Sequence, residues 1–326
     1  MRVSRRTLLT TASATLAGLA LPACGSGGGS NGGRVRFGYI ADFNGASLLA
    51  IAERQDLWKR HDLSPTTEEF TNGPLQVQAL GAGDLDFGYI GPGALWLPAS
   101  GQTSIVAINT LTKADRVIAR SGITSVADLA DRQVGVPEGT SGEMILNLAL
   151  RDAGMSLEDV QKVPMDPSTV VSAFSSGQIE AAGIWYPLID TIKGNVPDLV
   201  EVAATDDFPD HTFPTAFVAG NGVDSELAEK VVGVLQEAND WRAENPDEAV
   251  RLTAEMLDLD PEAVASDASH VELLTTADLV DRTDDGTVVG WLDGLNEIFA
   301  DTGQLSDVPD ATSYYSGDVY SRVFRA

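Results

Sequence analysis

The chain has 326 residues, 43% of them hydrophobic, which excludes a disordered chain and points to about two domains. A single cysteine excludes a disulfide scaffold. Lys plus Arg is 21 against 48 Asp plus Glu, a net charge of −27, and this excludes nucleic acid as a partner because phosphate binding needs concentrated cations.

The first segment reads as an address. Arg2, Arg5 and Arg6 precede Thr7–Ala20, a run too short for the ~20 residues of a membrane-spanning helix. Residues 1–23 therefore read as a signal peptide. Ser4-Arg5-Arg6-Thr7-Leu8-Leu9 resembles the twin-arginine export motif, with Leu8 where Phe is usual. Leu21-Pro22-Ala23-Cys24 resembles a lipobox, which implies a lipidated Cys24 as the mature N-terminus. Residues 24–33 are then a lipid-anchored Gly/Ser tether, whose nine-residue Gly25–Gly33 coil reaches roughly 15–18 Å. Loss of the leader leaves 18 basic against 48 acidic residues, a charge of −30.

From Arg34 onward the pattern alternates. Val35–Ile40 reads as a strand, followed by the turn Asp42-Phe43-Asn44-Gly45 and a helix carrying Leu48, Ile51 and Ala52 on one face. Thr66–Phe70 is a second strand, and Thr71-Asn72-Gly73-Pro74 starts a helix. Leu85–Ile90 is a third, broken by Gly91-Pro92-Gly93, and Ser104–Asn109 a fourth. Phe37-Gly38-Tyr39-Ile40 recurs as Phe87-Gly88-Tyr89-Ile90, a similarity expected of buried strands drawing on a narrow apolar vocabulary. A second block has strands at Arg116–Ala119, Gln133–Val136, Gln161–Met165, Ile179–Trp185 and Leu199–Ala203. After one more strand, Pro214–Ala219, everything reads as helix. One stripe is Leu227, Val231, Val234, Leu235, Ala238 and Trp241; another is Val288, Trp291, Leu292, Leu295 and Phe299. Asn245-Pro246 and Asp260-Pro261 read as an N-cap followed by Pro at the first helical position. Trp185 is assigned to the cleft; the other tryptophans are assigned to core or interface.

Such alternation predicts parallel sheets with right-handed crossovers. The block order predicts an α/β protein with 34–114 as the first part of lobe 1, 115–212 as lobe 2, and 213–326 completing lobe 1 with a helical tail. Hinges are expected near 112–117 and 208–216, with the ligand cleft between the lobes.

Three segments carry a resemblance: Phe70–Pro74 with Ala79–Gly88, then Val134–Gly142, then Ala173–Pro187. In order and spacing they resemble the ABC-transporter substrate-binding proteins for aliphatic sulfonates, taurine and nitrate, a superfamily shared with binders of thiamine-pyrimidine precursors. The resemblance implies a two-lobed type II periplasmic-binding-protein fold. It also implies a small-molecule ligand, ABC permease transmembrane subunits with a cytoplasmic ATPase, no cofactor and no catalysis. Matching positions give the ligand-binding candidates Asp42, Phe43, Asn44, Asn72, Gly73, Gly91, Pro92, Thr140, Ser141, Gly142, Trp185 and Tyr186. Tyr186 stands where the family often has Asp.

The residues themselves offer two ligand chemistries. A helix start at Thr140-Ser141 presents free N–H groups to an anion, although Thr140-x-x-Glu143 also fits a capping box. Asp42 favours a cation, hydroxyl or ring N–H, or else bonds a nearby turn N–H. Phe43, Trp185 and Tyr186 are expected to stack on a flat ligand or cation. His61, His211 and His270 lack metal-ligand spacing, so no metal is expected. Gly139–Glu143 lacks the final glycine of a nucleophile elbow. Related hydroxymethylpyrimidine synthases use a cysteine cluster, and no cysteine follows Cys24. The expectation is a monomeric, exported receptor, anchored through Cys24 to the outer face of the cytoplasmic membrane. The alternatives are a heterocycle or cation binder, an enzyme on the same fold, or a sensor lipoprotein.

Overall fold

The computed structural model describes residues 33–326. The leader, Cys24 and nearly all of the tether lie outside the described residues. Gly33, assigned above to the tether, already belongs to the folded body: its carbonyl accepts a hydrogen bond from the Ser64 amide at 2.6 Å.

Two sheets organise the molecule. The first has six strands: β1 (Arg34–Tyr39), β2 (Ser64–Glu69), β3 (Phe87–Ile90), β4 (Ser104–Thr112), β10 (Pro214–Ala219) and β11 (Val271–Leu273), in the order β11-β4-β10-β3-β1-β2. The second has five: β5 (Asp115–Ala119), β6 (Gln133–Val136), β7 (Gln161–Pro164), β8 (Ala181–Trp185) and β9 (Val200–Ala204), in the order β7-β6-β8-β5-β9. Most strands are buried on both faces, as apolar runs covered by helices on each side should be.

Neither sheet is purely parallel, contrary to the expectation from alternation. β10 runs antiparallel to β3 and β4, and β5 runs antiparallel to β8 and β9. The cause is the crossing geometry. β4 ends at Thr112 and β5 begins at Asp115; β9 ends at Ala204 and β10 begins at Pro214. Each crossing enters the interior of its new sheet at the end where the neighbouring strands finish, so the strand that follows runs antiparallel to them. The segment after β10 is also not wholly helical. β11 pairs antiparallel with β4 across Thr110–Thr112. Its apolar content is only Val271 and Leu273, too short a run for periodicity to register.

The repeated Phe-Gly-Tyr-Ile has a specific cause beyond strand vocabulary. β1 and β3 are parallel neighbours with Phe37 in register with Phe87, and the two rings stack at 5.7 Å. A Cβ on Gly38 or Gly88 would come within 2.7 or 2.9 Å of the Gln76 side-chain oxygen. Both glycines therefore make room for the fully buried Gln76. That side chain accepts from the Tyr89 amide at 2.9 Å and donates to the Tyr89 carbonyl at 2.7 Å. It supplies the backbone partners that a buried strand end must find.

The two predicted stripes lie on the helices Ser225–Glu244 and Thr287–Asp301, and Gly303 follows the second at φ 77°. Val231, Val234, Leu235, Val288, Leu292, Leu295 and Phe299 share one core with Phe37, Phe87 and Phe217 of the first sheet. Burying each such side chain stabilises the fold by about 1.5–3 kcal/mol. Asp260 caps its helix through the Glu262 amide, but Asn245 does not cap: its amide donates to the Trp241 carbonyl of the preceding helix instead.

Candidate functional site

The carboxyl ends of β1, β3 and β4 face those of β6 and β8 across a narrow cavity. Crevices at strand carboxyl ends are the ligand sites of open α/β sheets.

Three helix starts converge there. The helix Phe43–Arg54 is capped by Asp42, whose Oδ1 accepts from the Gly45 amide at 2.6 Å. The helix Gly73–Ala82 is capped by Asn72, which accepts from Leu75 at 3.0 Å, with Pro74 in the first turn. The helix Ser141–Asp152 is capped by Thr140 through the Gly142 amide at 3.3 Å. The expected capping box does not form. Glu143 reaches the Gly139 amide at 2.8 Å and pairs with Lys162 at 2.7 Å, so its charge is already compensated.

The cavity wall includes ten of the twelve sequence candidates: Asp42, Asn44, Asn72, Gly73, Gly91, Pro92, Thr140, Ser141, Trp185 and Tyr186. Phe43 does not line it. Its side chain is turned into the core, 6.0 Å below the Arg242 guanidinium, while its amide is held by Asp267 at 2.6 Å. Gly142 does not line it either. Its absent Cβ leaves room for the Gly183 carbonyl, so it serves helix-to-strand packing within the second sheet's layer. Tyr186 lines the wall, but its ring already stacks on His270 at 4.0 Å and its hydroxyl donates to Glu201 at 2.6 Å.

Other wall residues escaped sequence reading: Tyr89, Thr112, Asp115 and Thr215, with the apolar Ile40, Ala94 and Ala114. Asp115 opens the strand Asp115–Ala119 next to Arg116, inside the predicted hinge, and as one half of an adjacent acid–base pair it gave no signal of its own.

Asp42 and Asp115 are both buried. Burial, with Asp115 nearby, pushes Asp42 up to about 7. Burial pushes Asp115 up to about 7 as well, against the opposing pull of Arg116 and of the Ser141 hydroxyl. Behind Asp42, Asp267 accepts from the Phe43 amide at 2.6 Å and is raised well above the carboxylate range by burial and by Asp42. Among the described residues no Lys, Arg or His lines the cavity. Arg242 lies behind the wall, fully buried, held by Ser47, Asn109 and Asn239 and lowered to about 9 by burial. On the far side, burial would raise Glu201, but hydrogen bonds from Lys193, Tyr186 and Arg116 bring it down to about 2.

The two sides touch directly. The Gly93 amide donates to the Ser141 hydroxyl at 3.2 Å, and the Trp96 indole donates to the Gly139 carbonyl at 3.2 Å. Ser266 donates to Asp190 at 2.8 Å. The cleft is therefore closed.

Comparison with known proteins places this architecture. A Brucella abortus protein, named only as a binding protein, is 54% identical over 291 residues, covering 88% of this chain and 91% of that one. An aliphatic sulfonates-binding protein of Bacillus subtilis is 27% identical, covering 78% of this chain and 80% of its own length. The solved alkanesulfonate-binding protein of Xanthomonas axonopodis pv. citri, bound to MOPS, superposes with a TM-score of 0.70 at 20% identity, covering 87% and 98%. The fold is the two-lobed periplasmic-binding-protein fold, one lobe around each sheet, with the cavity between them. The NMT1/THI5-like family profile matches residues 46–249, and the chain belongs to that family.

Proposed function

We propose that this chain is the extracytoplasmic solute-binding component of an ABC importer. It closes its lobes on a small molecule and delivers it to the permease transmembrane subunits, which a cytoplasmic ATPase drives. The observation that carries this is the closed cavity at the strand carboxyl ends, with helix starts and polar side chains converging from both lobes. The relatives' names support binding over turnover. The leader pattern and Cys24 support export and a lipid anchor on the outer face of the cytoplasmic membrane. The lobes divide as 34–114 with 213–326, and 115–212.

A ligand that binds only the folded, closed form raises thermal stability by mass action. A thermal-shift screen of sulfonates, nitrate, pyrimidines, flavins and amines, with recovery of the bound compound, tests this reading. A stabilising compound recovered unchanged supports a receptor; a chemically altered one supports an enzyme.

A sulfonate-, taurine- or nitrate-like anion is the ligand reading that the relatives' names favour. Three helix N-termini aimed at one cavity supply the positive dipole ends such an anion needs. For that ligand the two wall carboxyls must be protonated.

A further inference from the structure

We infer that the ligand presents a cationic nitrogen bearing N–H donors, an amidinium, guanidinium or ammonium group, to Asp42 and Asp115, and that Asp115 is the residue selecting it. This rests on the receptor reading above and concerns the ligand's charge alone.

Three observations carry it. The wall holds two buried carboxyls, one from each lobe, and among the described residues no basic side chain to neutralise them. Asp115 lines the cavity with only 2% of the residue exposed, and its buried Oδ2 has no hydrogen-bond partner. A buried acceptor without a donor is a defect unless a ligand completes it. Each of the three helix starts already has one amide satisfied by its own cap, and at the first of them that cap is the carboxyl of Asp42, which an anion would have to approach. Trp185 adds an aromatic wall on the Asp115 side, suited to a flat amidinium or guanidinium.

The arrangement also couples binding to closure. Asp42 follows β1 in one lobe, and Asp115 opens β5 in the other. Apart, each carboxyl is solvated; brought together without a cation, they repel. A cationic nitrogen between them removes that repulsion, so the charge that is recognised is also the charge that favours the closed form. Other charged groups around the pair do not substitute for it. Arg116 is engaged by Glu201 at 2.8 Å. Asp267 and Tyr89 face Asp42 from behind, and Lys193 and His270 face Tyr186.

The test uses the full-length protein with benzamidine, agmatine, tetramethylammonium, ethanesulfonate, nitrate and magnesium as probes, read by thermal shift and titration calorimetry at pH 6 and pH 8. The expected result is stabilisation by benzamidine or agmatine, tighter at pH 8 because both carboxyls must ionise, with no response to the anions, to magnesium, or to the donorless tetramethylammonium. Asp115→Asn is expected to weaken the cation at least tenfold while circular dichroism stays unchanged. Should that variant not fold, the pH dependence of the unmodified protein still decides. Binding of ethanesulfonate or nitrate, tighter at pH 6, overturns the inference and leaves the receptor reading standing. Binding of tetramethylammonium or magnesium equal to that of the amidine overturns it likewise. Silence towards every probe overturns it and counts against the receptor reading too.

Discussion

Gly93→Ala is the sharpest probe of how the cleft closes. Gly93 does not sit at positive φ, so its backbone accepts alanine without strain in an open molecule. In the closed form the added Cβ would lie 2.3 Å from the Ser141 amide nitrogen and 2.3 Å from the Thr140 carbonyl carbon. Ordinary contact begins at 3.4 Å, so 3.4 less 2.3 leaves a shortfall of 1.1 Å against backbone, which cannot rotate away. The lobes must part by about that distance, or the helix Ser141–Asp152 must shift. Overpacking of this kind costs about 1–3 kcal/mol. Because it falls on the closed form alone, it appears in affinity as a loss of about 5- to 150-fold. The hydrogen bond from the Gly93 amide to Ser141 would stretch beyond use as well. Calorimetry with the best stabilising ligand measures the loss, and small-angle scattering measures whether closure is incomplete. Gly81→Ala is the control, since a Cβ there meets nothing within 4 Å. Unchanged affinity and full closure in Gly93→Ala would refute direct apposition of the two lobes at this point. A lowered melting temperature of the ligand-free variant would refute the claim that only the closed form suffers.

Asp115→Asn also tests a stability effect without ligand. A carboxyl raised from 3.8 to about 7 by burial holds its proton longer in the folded chain than in the unfolded one, so its contribution to stability is full below 3.8 and is lost as pH rises to 7. The variant is expected to melt about 2 °C or more above the parent at pH 8, with the gap closing towards pH 4 in differential scanning calorimetry. Glu201→Gln should act with the opposite sign. Its carboxyl is lowered from 4.5 to about 2, so its contribution is full above 4.5 and is lost as pH falls through 2. A loss of about 1 kcal/mol at pH 7, discounted for partial exposure, should shrink in acid during urea titration. Gln76→Leu leaves the Tyr89 amide and carbonyl unpaired in the core, which should cost about 2–4 kcal/mol in urea unfolding and also weaken ligand binding, because Tyr89 lines the cavity. Equal stability of that variant would show that the two glycines of the repeat serve something other than Gln76.

Much of the molecule follows from the sequence alone, for a local reason. Strand runs such as Arg34–Tyr39 and Gln133–Val136, the caps Asp42, Asn72 and Thr140, and the core stripes of the long helices are written in neighbouring residues. The turns after strands are equally local, but it was the family resemblance that singled out the ten wall residues named before any coordinates. What the tertiary structure decided is what depends on residues far apart in the chain. Strand direction in β5 and β10 is set by the end of the sheet at which the chain enters, and hydrophobic pattern carries no direction. The side on which Phe43 falls depends on a helix start packed against Asp267, 224 positions away. Gln76 explains Gly38 and Gly88 only once two strands lie side by side. Above all, the sequence shows an acid at 42 and an acid at 115, each unremarkable in its own turn or strand. Only the fold brings both to one buried cavity, where low polarity and missing counter-charge turn two ordinary aspartates into the feature that discriminates among ligands.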